Sequence, residues 1–255
     1  MKPTPTVVAV MLLLRPLPCL ALQGPPPPWA ANPERPTVAT HAYTVAPGYG
    51  ELEQGVRAFG LRKFTEATAW DVNFKIGLRP GVQLGIFGLP YVRSGAGGGM
   101  GDVGAALKLS RELSPKAAVA IVPAVTVPTG DNSRGLGAGR TLFGLVGVFS
   151  SDLSGAVHFD ANAGPVGIGA GKPLWFTSIG LSFGGSVGVG VGVATELFDY
   201  TSGAAAPRQR GFLGALMVPI SPAVVLDVGG VRGLVDGTPH QVFAGLTTNL
   251  GAIFK

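Results

Sequence analysis

The chain has 255 residues, 46% apolar and only 13% charged, with 41 glycines, 22 prolines, one cysteine and a formal charge of +5. A water-soluble domain of ordinary composition carries about 25% Asp, Glu, Lys and Arg, so an ordinary hydrated surface is disfavoured. The lone Cys19 excludes an intramolecular disulfide and a Cys-based metal centre. No apolar run reaches the ~18 to 20 residues of a membrane-spanning helix, so a chain of this composition in lipid has to satisfy its backbone by closing a sheet on itself.

In chain order, Lys2, the apolar stretch 7–14 and small residues near Ala21 read as an export signal over residues 1–23, interrupted by Arg15, Pro16 and Pro18. Cleavage falls after Ala21 or further on, near Ala30 and Ala31. Cys19, preceded by Pro16, Leu17 and Pro18, makes a poor lipoprotein box and is expected to leave with the signal. Removing Lys2 and Arg15, with no acid, lowers the formal charge from +5 to +3. The remaining basic residues are scattered over loops and turns, so nucleic acid is not an expected partner. Residues 24–49 form a Pro-rich segment. Its first part, 24–31, has four consecutive prolines and is expected to be extended and mobile, and residues 33–49 are a candidate plug. The barrel itself is expected over 50–255.

Twelve strands follow, near 50–60, 66–79, 82–92, 101–112, 117–128, 139–150, 155–163, 174–183, 187–198, 211–220, 223–232 and 240–254. The cleanest alternation is V-G-V-G-V-G-V at 187–193, a pattern that a helix of 3.6 residues per turn would scatter round its cylinder. Three strands show two distinct faces. In the second, Trp70, Val72, Phe74, Ile76 and Leu78 oppose Asp71, Asn73, Lys75 and Arg79. In the fourth, Val103, Ala105, Leu107 and Leu109 oppose Asp102, Gly104, Ala106, Lys108 and Ser110. In the seventh, Val157, Phe159 and Ala161 oppose His158, Asp160 and Asn162. One face suits lipid and the other a polar lumen.

Short connections around Pro80-Gly81, Ser114-Pro115, Asp152-Leu153 and Ser221-Pro222 alternate with longer Gly-rich ones at 93–100, 128–138, 164–173, 199–210 and 233–239. That alternation predicts an all-β, up-and-down antiparallel transmembrane β-barrel of twelve strands, with tight periplasmic turns, longer outer loops and both termini in the periplasm. Aromatics near strand ends, Trp70, Tyr91, Trp175, Tyr200 and Phe212, fit interfacial girdles.

Several segments carry a resemblance. "PERPTVATHAYTVAPGYGELEQG" (33–55), "GLRPGVQLGIFGLPYV" (77–92), "GMGDVGAALKLSRELSPKAAVAIVPAVTVPTGD" (99–131) and "TPHQVFAGLTTNLG" (238–251) resemble, in kind and order, the outer-membrane transporter family named for the phenol-degradation meta-pathway. Gly101-Asp102-Val103 and Val127-Pro128-Thr129-Gly130-Asp131 are the most specific pieces. The resemblance implies a monomeric barrel in the bacterial outer membrane that passes or binds small hydrophobic compounds. Lys255 departs from the terminal aromatic typical of such barrels.

Two motifs fail on context. Gly184-Gly185-Ser186-Val187-Gly188 matches G-x-S-x-G, but a nucleophile elbow needs a strand-to-helix turn, and pairing Ser186 with His158 as base is not expected to yield an enzyme. The run 167–172 resembles a phosphate loop, yet Val166 and Pro173 occupy positions that need Gly and Ser or Thr. His41, His158 and His240 lie far apart with no acidic cluster, so neither a metal nor another cofactor is expected.

Asp71, Asn73, Lys75, Asp102, Lys108, His158, Asp160, Asn162, Glu196 and Asp227 fall on proposed inner faces. Ionisable groups inside a membrane mark either a solute path or a network that pairs and fills the lumen, and both readings stay open. The expected function is passive passage of small hydrophobic or aromatic solutes, with outer-membrane lipid around the wall. The alternatives are a closed surface-anchored structural or binding barrel and a soluble exported β-sandwich.

Overall fold

The computed structural model describes residues 27–60, 66–95, 97–184, 190–204 and 206–254. Within them the strands are β1 (Tyr49–Gly60), β2 (Ala67–Arg79), β3 (Val82–Ser94), β4 (Gly97–Gly99), β5 (Val103–Ser114), β6 (Ala117–Val127), β7 (Leu142–Ser154), β8 (Val157–Val166), β9 (Leu174–Phe183), β10 (Gly192–Tyr200), β11 (Gln209–Ser221), β12 (Val224–Gly233) and β13 (His240–Ala252). Each long strand pairs antiparallel with its sequence neighbours, and β4 is a three-residue extension on the far end of β3. The ladder closes where β1 meets β13, with Gly55 opposite Gly245 and Gly60 opposite His240. All twelve expected strands are present. Their 9 to 13 residues match the roughly 9 to 11 that a tilted strand needs to cross the hydrocarbon. A sheet that pairs its first strand with its last has no edge, and the β-sandwich alternative falls with that observation.

The wall carries two chemistries. Outward positions expose Val56, Trp70, Ile86, Ile121, Phe143, Leu145, Trp175, Ile179, Phe212, Leu216 and Val228. An apolar exterior of this extent, which a water-soluble monomer rarely shows, is the lipid-facing band of a membrane barrel. Trp70, Tyr91, Trp175 and Phe212 sit on that outer face. Tyr200 does not: Glu196, Phe198 and Tyr200 share the inward parity of β10, and the Tyr200 ring stacks on Phe176 inside, at 4.7 Å between centroids.

Two further details differ from expectation. In the 187–193 alternation, Gly190 and Val191 lie before the strand rather than in it. Residues 185–189 lie outside the described residues, Gly190 has φ +81°, and β10 begins at Gly192. The reason is register: at the short-turn rim Val193 pairs with Phe183 and Phe183 with Val157, so Gly190 and Val191 lie beyond the last paired residue of β9. Residues 27–31, expected to be unpacked, are instead held at that rim. Ala31 N–H donates to Pro222 O at 2.8 Å, and Asn249 Nδ2 donates to Ala30 O at 3.1 Å.

Candidate functional site in the barrel interior

Residues 32–48 enter the lumen from the short-turn rim, run round the inside of the wall and return to the same rim to become β1. Pro33, Pro36 and Pro47 deny this segment a continuous row of donors, so it adds no strand to the wall. Its remaining N–H groups, cut off from water, need acceptors, and inward side chains of the barrel supply them. From Arg35 onward the partners follow the wall in barrel order. Arg35 Nε and Nη2 donate to the two oxygens of Asp227 on β12, both at 3.0 Å. The Val38 and Ala39 amides donate to the two oxygens of Glu196 on β10, at 2.6 and 2.9 Å. Thr40 exchanges two bonds with the Asn162 amide on β8. Ala42 N–H donates to Ser150 Oγ on β7 at 2.7 Å. Lys108 Nζ on β5 donates to the His41 carbonyl at 2.7 Å, Val45 N–H to Gln83 Oε1 on β3 at 2.8 Å, and Gly48 N–H to Gly77 O on β2 at 2.8 Å.

The strongest seat lies under residues 32–34. Lys75 Nζ, fully buried on β2, stands 2.6 Å from Glu51 Oε1 and 2.9 Å from Glu53 Oε1, both on β1. Those two carboxylates in turn accept the Asn32 and Glu34 amides, each at 2.6 Å. Glu34 reaches across to Lys108 at 2.6 Å and to Gln83 Nε2 at 2.9 Å. Arg35 fits because Gly55 and Gly245, opposite each other in the ladder, leave a slot. A Cβ at either position would collide with its guanidinium.

The ten inner-face residues named from sequence divide by what they touch. Lys75, Lys108, Asn162, Glu196 and Asp227 bind the segment directly. Asn73 lies beside Glu53, 3.5 Å away, and Asp71 pairs with Arg57 at 3.0 Å. His158 lies between Asp152 (Nδ1, 2.7 Å) and Asp160 (Nε2, 3.1 Å), and Asp160 accepts from the Ser150 hydroxyl that itself accepts from Ala42. Asp102 serves a different element, the loop between β6 and β7. Its two oxygens accept Gly130 N–H at 2.9 Å and Ala138 N–H at 2.7 Å, and the loop buries Leu136 against Ala69 and Val92 on the inner wall. In the same loop the Ser133 hydroxyl and amide hold the exposed Asp131 carboxyl below its usual pKa. Gly184 of the G-x-S-x-G motif is a bend, and the rest of that motif lies outside the described residues. The 167–172 run is a loop bridged to Phe143, with positive φ at Gly167, Gly169 and Gly171. No cluster of metal-ligating side chains occurs among the described residues.

Sequence reasoning missed Glu51, Glu53, Gln83 and Ser150 on the wall and Glu34 and Arg35 on the segment. The signal for the first pair was present, since Glu51, Glu53 and Gly55 alternate with Leu52, Gln54 and Val56. The interior is also less uniformly polar than expected. On the β9 to β12 side, Phe176, Phe198, Leu213 and Val231 point inward and pack Ala39 among them.

Two cavities flank the segment. One, of about 360 Å³, lies toward the long loops and is lined by Arg35, Glu53, Asp71, Asn73, Phe87, Leu89 and Asp102. The other, of about 540 Å³, opens toward the short turns and is lined by His41, Tyr43, Lys116, Asp152 and His158. The interior is thus crossed by the segment and narrowed on the long-loop side by the inward loop. Removing the clamp on that loop tests the geometry. Asp102→Ala strips the Gly130 and Ala138 amides of their acceptor, a loss of about 1 to 3 kcal/mol. Trypsin is expected to cut the variant after Arg134 and Arg140 faster than the parent barrel. An unchanged rate would mean that Leu136 packing alone holds the loop.

No protein-family model matches the chain, and no curated protein matches it in sequence. Solved structures do match in fold. The COG4313 outer membrane channel from Pseudomonas putida F1 aligns with a TM-score of 0.62 at 13% identity, over 84% of this chain and 100% of that one. The KdgM porin in complex with disordered oligogalacturonate aligns with a TM-score of 0.58 at 4% identity, over 78% and 98%. This chain accordingly has the closed twelve-strand fold of bacterial outer-membrane channels.

Proposed function

We propose that this barrel is an outer-membrane channel for small solutes whose lumen is closed at rest by its own residues 32–48. The observation that carries the reading is the ring of side-chain acceptors on β12, β10, β8, β7 and β3 that holds one extended segment across the interior. These bonds are many but separate, so the segment can leave without any wall strand parting. The solute class is small hydrophobic or aromatic compounds. It is supported by the resemblance of the quoted segments to the phenol-pathway transporter family and by Phe87 and Leu89 in the cavity above the segment. Passage is diffusive, with no chemical step, through the lumen of a single closed barrel.

Flux into proteoliposomes tests the solute class. A small phenol is expected to enter protein-bearing vesicles faster than empty ones, and faster relative to that baseline than a sugar of similar size. Equal uptake in loaded and empty vesicles would favour the closed binding barrel instead.

A further inference from the structure

Beyond the lumen, the outward face at the long-loop end of β10, β11 and β12 carries a cluster of arginines that the channel reading does not use. Arg208 and Arg210 share one carboxylate, Asp199, at 3.1 and 3.0 Å, and both stay about half exposed. Arg232 on the next strand is exposed and stands directly opposite Phe212, two residues along β11 from Arg210. It is therefore the diagonal neighbour of Arg210 on the same face, a pairing with about 7 to 8 Å between backbones. Three guanidinium groups against Asp199, with Asp236 lining the pocket beside Arg232, leave the patch with a net charge of +1.

Its position decides what can meet it. Phe212 and Leu216 on β11, Leu197 on β10 and Val228 on β12 share this outward parity and face lipid. Arg232 lies level with Phe212, and Arg210 and Arg208 follow Phe212 by one and two steps of the same face, about 7 Å each along a strand. That is the depth of the headgroups just above the aromatic level. Guanidinium is the side chain best matched to phosphate oxygens. We propose that Arg208, Arg210 and Arg232 form a lipid-binding site for the phosphate of a phosphorylated outer-leaflet glycolipid, with its acyl chains lying down the wall along Phe212 and Leu216. The inference needs the barrel but not the channel reading.

Native mass spectrometry of the refolded, detergent-purified protein tests it, with bisphosphorylated lipid A as probe and the same lipid lacking both phosphates as comparison. Wild type is expected to retain the phosphorylated lipid about tenfold better than the R208Q/R210Q/R232Q variant, about 1.4 kcal/mol. R208K/R210K/R232K keeps most of the binding, which separates charge from folding. R79Q/R111Q/K116Q, the same charge change at the short-turn rim, keeps wild-type adducts. Inorganic phosphate does not displace the lipid, because the acyl contacts are part of the hold. Wild-type adducts on the triple Gln variant, equal retention of the dephosphorylated lipid, equal loss in the opposite-rim variant, or ready displacement by inorganic phosphate would each overturn the proposal.

Discussion

Lys75→Met is expected to destabilise the barrel by about 3 to 5 kcal/mol, the range for removing one partner of a buried ion pair. The ammonium is fully buried within 3 Å of Glu51 and Glu53 and also donates to the Asn32 carbonyl. Methionine fills a similar volume, so packing changes little and the loss reports the two carboxylates left without a cation. Urea unfolding in lipid vesicles measures it. Adding Glu53→Gln to Lys75→Met should return part of the loss, because one uncompensated charge goes with it and the two changes are coupled. A Lys75→Met barrel as stable as its parent would mean that water reaches Glu51 and Glu53, against the burial described above.

The second large effect concerns the seat of the segment rather than the wall. Glu196→Gln together with Asp227→Asn replaces the carboxylates that hold the Arg35 side chain and the Val38 and Ala39 amides. A Gln side chain cannot accept with its nitrogen, so one of the Val38 and Ala39 amides loses its partner, and Arg35 loses its counter-charge. Hydrogen bonds to charged groups contribute about 1.5 to 3 kcal/mol each. A combined loss of about 3 kcal/mol should speed amide exchange at 38–42 by roughly a hundredfold. The wall strands are expected to keep their protection. Unchanged exchange at 38–42 would show that apolar packing of Ala39 among Phe176, Phe198 and Leu213 carries the seat.

Much of the wall was legible because a barrel writes its geometry into period two. Trp70 against Asp71 and Leu109 against Lys108 assign faces without any knowledge of partners, and the turns around Pro80, Pro115 and Pro222 mark one rim. What was not legible depends on which residues meet across the lumen. Glu196 and Ala39 are 157 positions apart, and no local pattern announces that contact. The same holds for Arg35, whose place depends on two absent side chains, at Gly55 and Gly245. Within the V-G-V-G-V run, Gly190 and Val191 fall outside β10 for a related reason. Alternation shows that a segment can be a strand, but pairing requires a neighbour of matching length, and β9 ends at Phe183. Tyr200 is the simplest miss, since its parity with Glu196 already placed it inside.

If residues 32–48 close the lumen, a barrel lacking residues 27–46 should conduct steadily in a planar bilayer. That deletion keeps Pro47 and Gly48, which lead into β1, and a boiling-sensitive gel mobility confirms that the shortened barrel is folded. Steady conductance in the deletion, against a wild-type barrel that is closed for most of the record, is the predicted result. A folded deletion variant that conducts no more than wild type would mean that the wall, not the segment, closes the barrel.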